Sequence, residues 1–337
     1  MVLPLPSADR FKFLPCSHSW IALHPQPQGV IQFVGGALWG TFPTLAYRHF
    51  LKSLFEAGYT IVALPFRFAL NHWSIALDLL DEHYAIRGAI VEAAISKGYE
   101  PTAYLDAANY AWVGHSLGCK YVVLLELLSS PCHLLASYFQ KVEQDLEQWH
   151  QIQQGLVDLA NSRRQMEKHI QHLTGQAIVH TQPAIMDEPS LLLAPAITDL
   201  NGAIPIKALQ RAFSNLLKVY PTVEQTHQLI EHSQLFHLTG LLQFAHDPLA
   251  VDTCQRLMQA QPHIRRRLLK GHHLEPMGIK IGQFIMDFNP LDKFIQPLSC
   301  RDLEFKAVAL LHRLRETSAP SPCRVSDDAS SSNPFAA

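Results

Sequence analysis

The chain has 337 residues, 48% of them apolar, and 27 basic against 29 acidic side chains leave a net charge of −2. That length suits one large α/β domain with insertions, or two domains, and the near-neutral balance gives no electrostatic case for nucleic acid or an anionic membrane. No apolar run reaches the roughly 18 residues of a transmembrane helix, and residues 1–13 lack the charged-then-apolar order of a secretory signal.

Arg10 to Leu14 and Ser19 to Leu23 read as two short strands of an antiparallel edge. Gly29 to Val34 (GVIQFV) is a continuous apolar strand that ends in Gly35, Gly36, Ala37, Leu38, Trp39 and Gly40. Thr41, Phe42 and Pro43 start a helix with proline near its first position, and Gly58 stops it. Tyr59 to Leu64 is the next apolar strand, and His72 to about Lys97 is helical. Tyr110 to Val113 is a short buried strand, followed by Gly114-His115-Ser116-Leu117-Gly118. Leu117, Tyr121, Leu124, Leu125 and Leu128 then recur on one helix face. Alternating strands and helices predict a parallel sheet covered on both faces, with strand C-termini along one edge.

The character changes after about Ser130. Residues 134–175 are polar, with apolar side chains in a three-four rhythm from Leu135 to Leu173, interrupted by Arg163. The rhythm survives Gly155, which favours one long helix; 40 residues would span about 60 Å. Two readings stay open: an insertion packed on the domain, or a coiled-coil-like arm that pairs with a partner or a second copy. Ser190 to Ala194 returns to a buried strand. Ile206 to Tyr220 and Thr222 to about Glu231 read as helices where a lid would lie. Leu241 to Ala245 is a strand, Ala250 to Gln259 a helix and His263 to Leu269 the last strand. Met277 to Phe288 and Leu303 to Arg315 read as helical. The Ser-, Pro- and Ala-rich tail from Glu316 reads as disordered. The organisation expected is residues 1–133 as the N-terminal half of the core and 134–178 as a helical insertion. Residues 179–315 complete the core, with lid helices at about 203–232, and 316–337 form the tail.

A strand, a sharp turn carrying Ser116 and a following helix make the nucleophile elbow of α/β-hydrolases. The turn exposes the hydroxyl in a strained conformation, and glycines at 114 and 118 let strand and helix approach. A serine needs a base to take its proton, and the base needs an orienting acid. In such folds the chain order is Ser, acid, His. Asp247 follows a late strand, and the pair His272 and His273 follows the next. Asp247 is the expected acid, with Asp252 the fallback, and His273 is preferred to His272 as base. Backbone amides of Leu117 and of Gly36 or Ala37 are the expected oxyanion donors. His227, His232 and His237, five residues apart, do not share a helix face, so no metal site is expected, and the mechanism calls for no cofactor. Cys119 sits in the first turn of the elbow helix, where a helix dipole lowers a thiol pKa, but packing is the simpler role. Lys120 is read as solvated. The six cysteines form no C-x-x-C pair and point to reduced thiols in a reducing, cytoplasmic compartment.

The stretches FVGGALWG with TLAYRHFLKSLFEAGY, VGHSLGCK, PTVEQTHQLIE leading to LLQFAHDPL, and LLKGHHLEP resemble a known family. It is the uncharacterised α/β-hydrolase-like domain-of-unknown-function family of cyanobacteria and plant plastids. The resemblance covers about two-thirds of the chain. It implies an α/β-hydrolase fold, a mostly parallel doubly wound sheet with arm and lid insertions, and a cyanobacterial cytosol. It carries a nucleophile role to Ser116, and points to Asp247 and His273 for acid and base. It carries no substrate. Two departures stand out: Val34, where many hydrolases have histidine before the glycine, and the long 134–175 arm.

The expected function is a serine hydrolase, an esterase, thioesterase or lipase-like enzyme acting on a small acyl or lipid-like substrate through an acyl-enzyme. An acyltransferase on the same triad and a non-catalytic binding or assembly protein are the alternatives, the latter using 134–175 to hold a second copy or a protein partner.

Overall fold

A computed structural model of the chain describes residues 11–37, 39–143, 145–178, 185–186, 188–197, 219–232, 236–288 and 295–318. The expected lid helix at 206–218 and the tail from 319 onward lie outside the described residues.

The core is an eight-stranded sheet of β1 (Leu14–Cys16), β2 (Ser19–Ala22), β3 (Gly29–Val34), β4 (Tyr59–Leu64), β5 (Tyr110–His115), β6 (Ser190–Leu193), β7 (Thr239–Phe244) and β8 (Arg265–Leu269). Their order across the sheet is β1-β2-β4-β3-β5-β6-β7-β8. β2 runs antiparallel to β1 and β4, and β4, β3, β5, β6, β7 and β8 run parallel to one another. This order, with an antiparallel second strand, is that of the α/β-hydrolase fold. β3, β4, β5 and β7 are buried along their whole length, which is why they read as unbroken apolar runs.

The helices α1 (Pro43–Ala46), α2 (Arg48–Glu56), α3 (His72–Ser96), α4 (Thr102–Leu105), α5 (Leu117–Leu128), α6 (Cys132–Tyr138) and α7 (Leu146–Thr174) follow in chain order. Adjacent residues of β3 show that both sheet faces are covered. Gln32 bonds His83 of α3 at 2.7 Å, while Phe33 packs on Tyr47 and on Phe50 of α2. A C-terminal helix, Leu303–Ser318, lies over β7, where a Cβ on Gly240 would stand 2.9 Å from Leu314. That helix runs three residues into the expected tail.

Two expectations about elements are corrected. Residues 134–175 do not form one helix. α6 passes into a π-helical turn, Phe139–Glu143, and α7 begins afresh after Asp145, whose carboxylate accepts the Gln148 N–H at 2.9 Å. Gly155 stays inside α7 and lies against Leu77, letting the helices approach. α7 runs parallel to α3: Asn71 bonds Gln148, Ser162 bonds Asp81, and His169 lies 3.5 Å from Glu92. The apolar rhythm therefore faces α3, with Ile152, Leu159, Met166 and Ile170 buried. The segment 277–288 is not helical. It holds the strands β9 (Ile279–Ile281) and β10 (Phe284–Met286), which pair antiparallel through a two-residue turn at Gly282 and Gln283, with β11 (Ile295–Pro297) alongside. The β-branched isoleucines favour strand, and Gly278 and Gly282 adopt positive φ values of 152° and 60° that end a helix.

Candidate active site

β5 ends at His115, and the chain turns at Ser116 with φ 54° and ψ −118°, a conformation that non-glycine residues rarely adopt. The Ser116 N–H donates to the Leu193 carbonyl at 3.0 Å, which fixes the turn to β6. A Cβ on Gly118 would stand 2.1 Å from the Val34 carbonyl oxygen, so only glycine lets α5 pass the end of β3. The elbow is thus pressed between two neighbouring strands.

Asp247 follows β7 and His273 follows β8, and both turns sit at the same sheet edge as Ser116. The Ser116 hydroxyl lies 2.8 Å from His273 Nε2. His273 Nδ1 lies 2.9 Å from Asp247 Oδ2. The carboxylate can only accept, so Nδ1–H donates to it and Nε2 is left to accept from the serine. Asp247 is buried, and its Oδ1 accepts the amides of Leu249 at 3.0 Å and Ala250 at 3.3 Å. The two loops are tied together by the His246 N–H donating to the Gly271 carbonyl at 3.1 Å.

Of the paired histidines the structure brings His273 to the serine; His272 stacks on His246 at 5.3 Å. Asp252, the alternative acid expected from the sequence, bonds Arg256 at 3.1 Å and lies 3.8 Å from His227. The loop after β3 reaches the elbow, since a Cβ on Gly36 would lie 3.1 Å from the Ser116 Cβ. The Gly36 amide is engaged, however: it donates to the Tyr47 hydroxyl at 2.8 Å. That removes Gly36 from the expected oxyanion donors and leaves Ala37 and Leu117. Leu117 opens α5, where an amide has no carbonyl one turn earlier within the helix. Cys119 is buried, and burial pushes its thiol well above the usual range. Lys120 is not solvated. It is buried, and its Nζ donates to the Pro221 carbonyl at 2.6 Å, because the start of α5 lies beneath the Tyr220–Pro221 segment.

Three residues were missed by motif reading. His115 is buried, and burial, aided by the nearby His273, pushes its pKa down to about 3. It bonds Tyr47 and the His273 main chain. Glu275 follows His273 by two residues, accepts from Gln296 at 2.8 Å and pairs with Arg301 at 3.2 Å, bracing the loop that carries His273. The motif LLKGHHLEP contained this glutamate, but nothing in its spacing named the partner.

Among solved structures the chain is similar to the carboxylesterase Cest-2923 from Lactobacillus plantarum WCFS1, at 13% identity over 92% of this chain and 98% of that one, with a TM-score of 0.46. It is also similar to a structure from a study of two fungal esterases of Rhizomucor miehei, at 14% identity over 91% and 83% of the two chains, with a TM-score of 0.45. A thioesterase domain from the curacin biosynthetic pathway aligns at 11% identity over 89% and 98%, with a TM-score of 0.38. No curated protein matches the sequence. The family described as protein of unknown function DUF1350 matches residues 13–183, and the chain belongs to that family.

Proposed function

We propose that this protein is a serine hydrolase that cleaves ester or thioester bonds of small acyl or lipid-like substrates. The observation that carries the reading is the unbroken run from the Ser116 hydroxyl to His273 and on to the buried Asp247, at 2.8 and 2.9 Å. In this mechanism His273 Nε2 takes the serine proton as Oγ attacks the substrate carbonyl carbon. The carbonyl π electrons move onto oxygen, and the Leu117 and Ala37 amides stabilise that charge. Asp247 holds Nδ1–H and stabilises the imidazolium. The intermediate collapses, the C–O or C–S bond to the leaving group breaks, and His273 donates its proton to that group. Water, deprotonated by His273, then attacks the acyl-serine, and proton return to Ser116 frees the acid.

Aromatic side chains around the loop after β3 favour an apolar acyl group in this reading: Trp39 packs on Phe288 with ring centroids 4.8 Å apart, and Phe66 lies against Gly40 and packs on Tyr121. Action on a dissolved substrate in the cytosol belongs to the same proposal. Among the described residues no helix is long and apolar enough to cross a membrane.

A fluorophosphonate probe is expected to label wild-type protein at one peptide containing Ser116, and the folded Ser116→Ala variant to take no label. Turnover of short p-nitrophenyl esters should fall by at least about 10³-fold in that variant. An unlabelled wild type, with Ser116→Ala equal to it on every ester of an acyl-length series, would sink the reading.

A further inference from the structure

His115 stands in the unrestricted position of G-x-S-x-G, yet both of its ring nitrogens are used. Nε2 lies 2.9 Å from the main-chain carbonyl oxygen of His273. Nδ1 lies 2.8 Å from the Tyr47 hydroxyl. The Tyr47 oxygen in turn lies 2.8 Å from the Gly36 nitrogen.

The proton positions follow from what each group can do. A carbonyl oxygen only accepts, so Nε2 carries the imidazole hydrogen. A backbone amide only donates, so the Tyr47 oxygen accepts from Gly36 and keeps its own hydrogen for Nδ1. Nδ1 is bare in that tautomer and accepts. The run from Gly36 N–H through Tyr47 O–H and His115 to the His273 carbonyl is complete, has one direction, and needs a neutral ring. It joins three loops: the one after β3, the elbow after β5, and the one after β8.

We infer that His115 and Tyr47 are positioning residues for the proposed hydrolysis: together they hold the main chain of the base and the loop whose Ala37 amide faces the developing oxyanion. The inference rests on the serine-hydrolase reading and extends it. Neither side chain gives or takes a proton in the proposed reaction, although the His115 ring lies 5.3 Å, centroid to centroid, from that of His273. Their effect is geometric, and near-attack geometry is steep: a misplacement of about 1 Å can lower the rate by about 10²-fold. The competing role is packing alone, since the Tyr47 ring also lies 4.6 Å from Phe33. A packing role lowers the yield of folded enzyme and its melting temperature. It does not change the rate of each correctly folded molecule.

The test uses the full chain and four variants. Tyr47→Phe keeps the ring and removes the hydroxyl. His115→Gln can keep a donor toward the His273 carbonyl, and His115→Leu keeps neither bond; the fourth variant combines Tyr47→Phe with His115→Leu. Active sites are counted with a fluorophosphonate, and kcat and KM on p-nitrophenyl butyrate are expressed per counted site. Tyr47→Phe is expected to lower kcat by about 10- to 100-fold with KM within about threefold. His115→Leu should lower it at least as far, His115→Gln should retain more than His115→Leu, and the double variant should match His115→Leu. Wild-type kcat per counted site in Tyr47→Phe overturns the inference while leaving the hydrolase reading intact. Wild-type protein that takes no probe overturns both. Where the His115 variants do not fold, Tyr47→Phe decides the matter.

Discussion

Asp247 gives one carboxylate oxygen to His273 and the other to the amides of Leu249 and Ala250. Asparagine has the same shape but only one acceptor. Facing its oxygen to His273 turns its NH₂ against two amide donors. The reverse orientation puts NH₂ against Nδ1, moves the imidazole hydrogen to Nε2, and stops the ring accepting from Ser116. Asp247→Asn is therefore expected to lower kcat per active site by about 10³- to 10⁴-fold in a folded protein with nearly unchanged KM. Steady-state kinetics on a short ester check this, and a loss below about tenfold would remove Asp247 from the acid role. That Ser116, Asp247 and His273 come to one sheet edge was legible in the sequence, because each follows a strand pattern and they come in one chain order. The choice between His272 and His273 was harder, because adjacent residues of a turn point in different directions. The turn's shape depends on Glu275, which is held by Arg301, 26 residues further along. His115 and Tyr47 were not legible as partners at all. A histidine in a free motif position carries no signal until the fold brings positions 47, 115 and 273 together.

The inner strands of the parallel sheet, β3 to β7, were readable because burial on both faces favours apolar runs, whereas the edge strand β8, Arg265–Leu269, is mostly exposed. The segment 277–288 was misread because glycines spaced four apart in a mixed apolar run also fit a helix pattern. The β-branched isoleucines and the positive φ at Gly278 and Gly282 separate the two readings. Asp145 likewise gives no break in the apolar rhythm, and it is its cap bond to Gln148 that starts α7. The seam between α3 and α7 uses the apolar stripe that could otherwise have met a second copy. Ile152 on that seam is fully buried. Ile152→Ala is expected to destabilise the protein by about 2–5 kcal/mol through lost burial and a residual cavity. Denaturant titration checks it, and a change under about 0.5 kcal/mol would mean that the seam contributes little. Activity per counted site should stay near wild type, because Ile152 is no part of the run from Ser116 through His273 to Asp247.

Across the whole molecule, the sheet's α3 face carries buried carboxylates that the chemistry does not use. Glu126 of α5 accepts from Ser190 at 2.8 Å, and burial, the largest cause, raises its pKa to about 8 from an ordinary 4.5. The folded state thus holds a proton that the unfolded chain releases earlier. The contribution to stability is full below about pH 4.5 and is lost as pH rises through 8. Glu126→Gln keeps an acceptor for Ser190 and does not titrate. Its melting temperature is expected to track the wild type near pH 5 and to exceed it near pH 9, by an amount equivalent to about 1–3 kcal/mol. Parallel melting curves at both pH values would refute a buried titrating Glu126. The composition could not reveal this group, because an isolated glutamate in an apolar helix reads equally as a surface residue. The parallel pairing of α3 with α7 has its own consequence. Its side-chain bonds join residues 77 and 81 positions apart, and the loop they close contains β5, Ser116 and α5. Loop-closure entropy grows only with the logarithm of length, so a clasp around so long a segment restrains it at modest extra cost. The seam does what a disulfide does in a smaller protein: it pins both ends of the segment that bears Ser116.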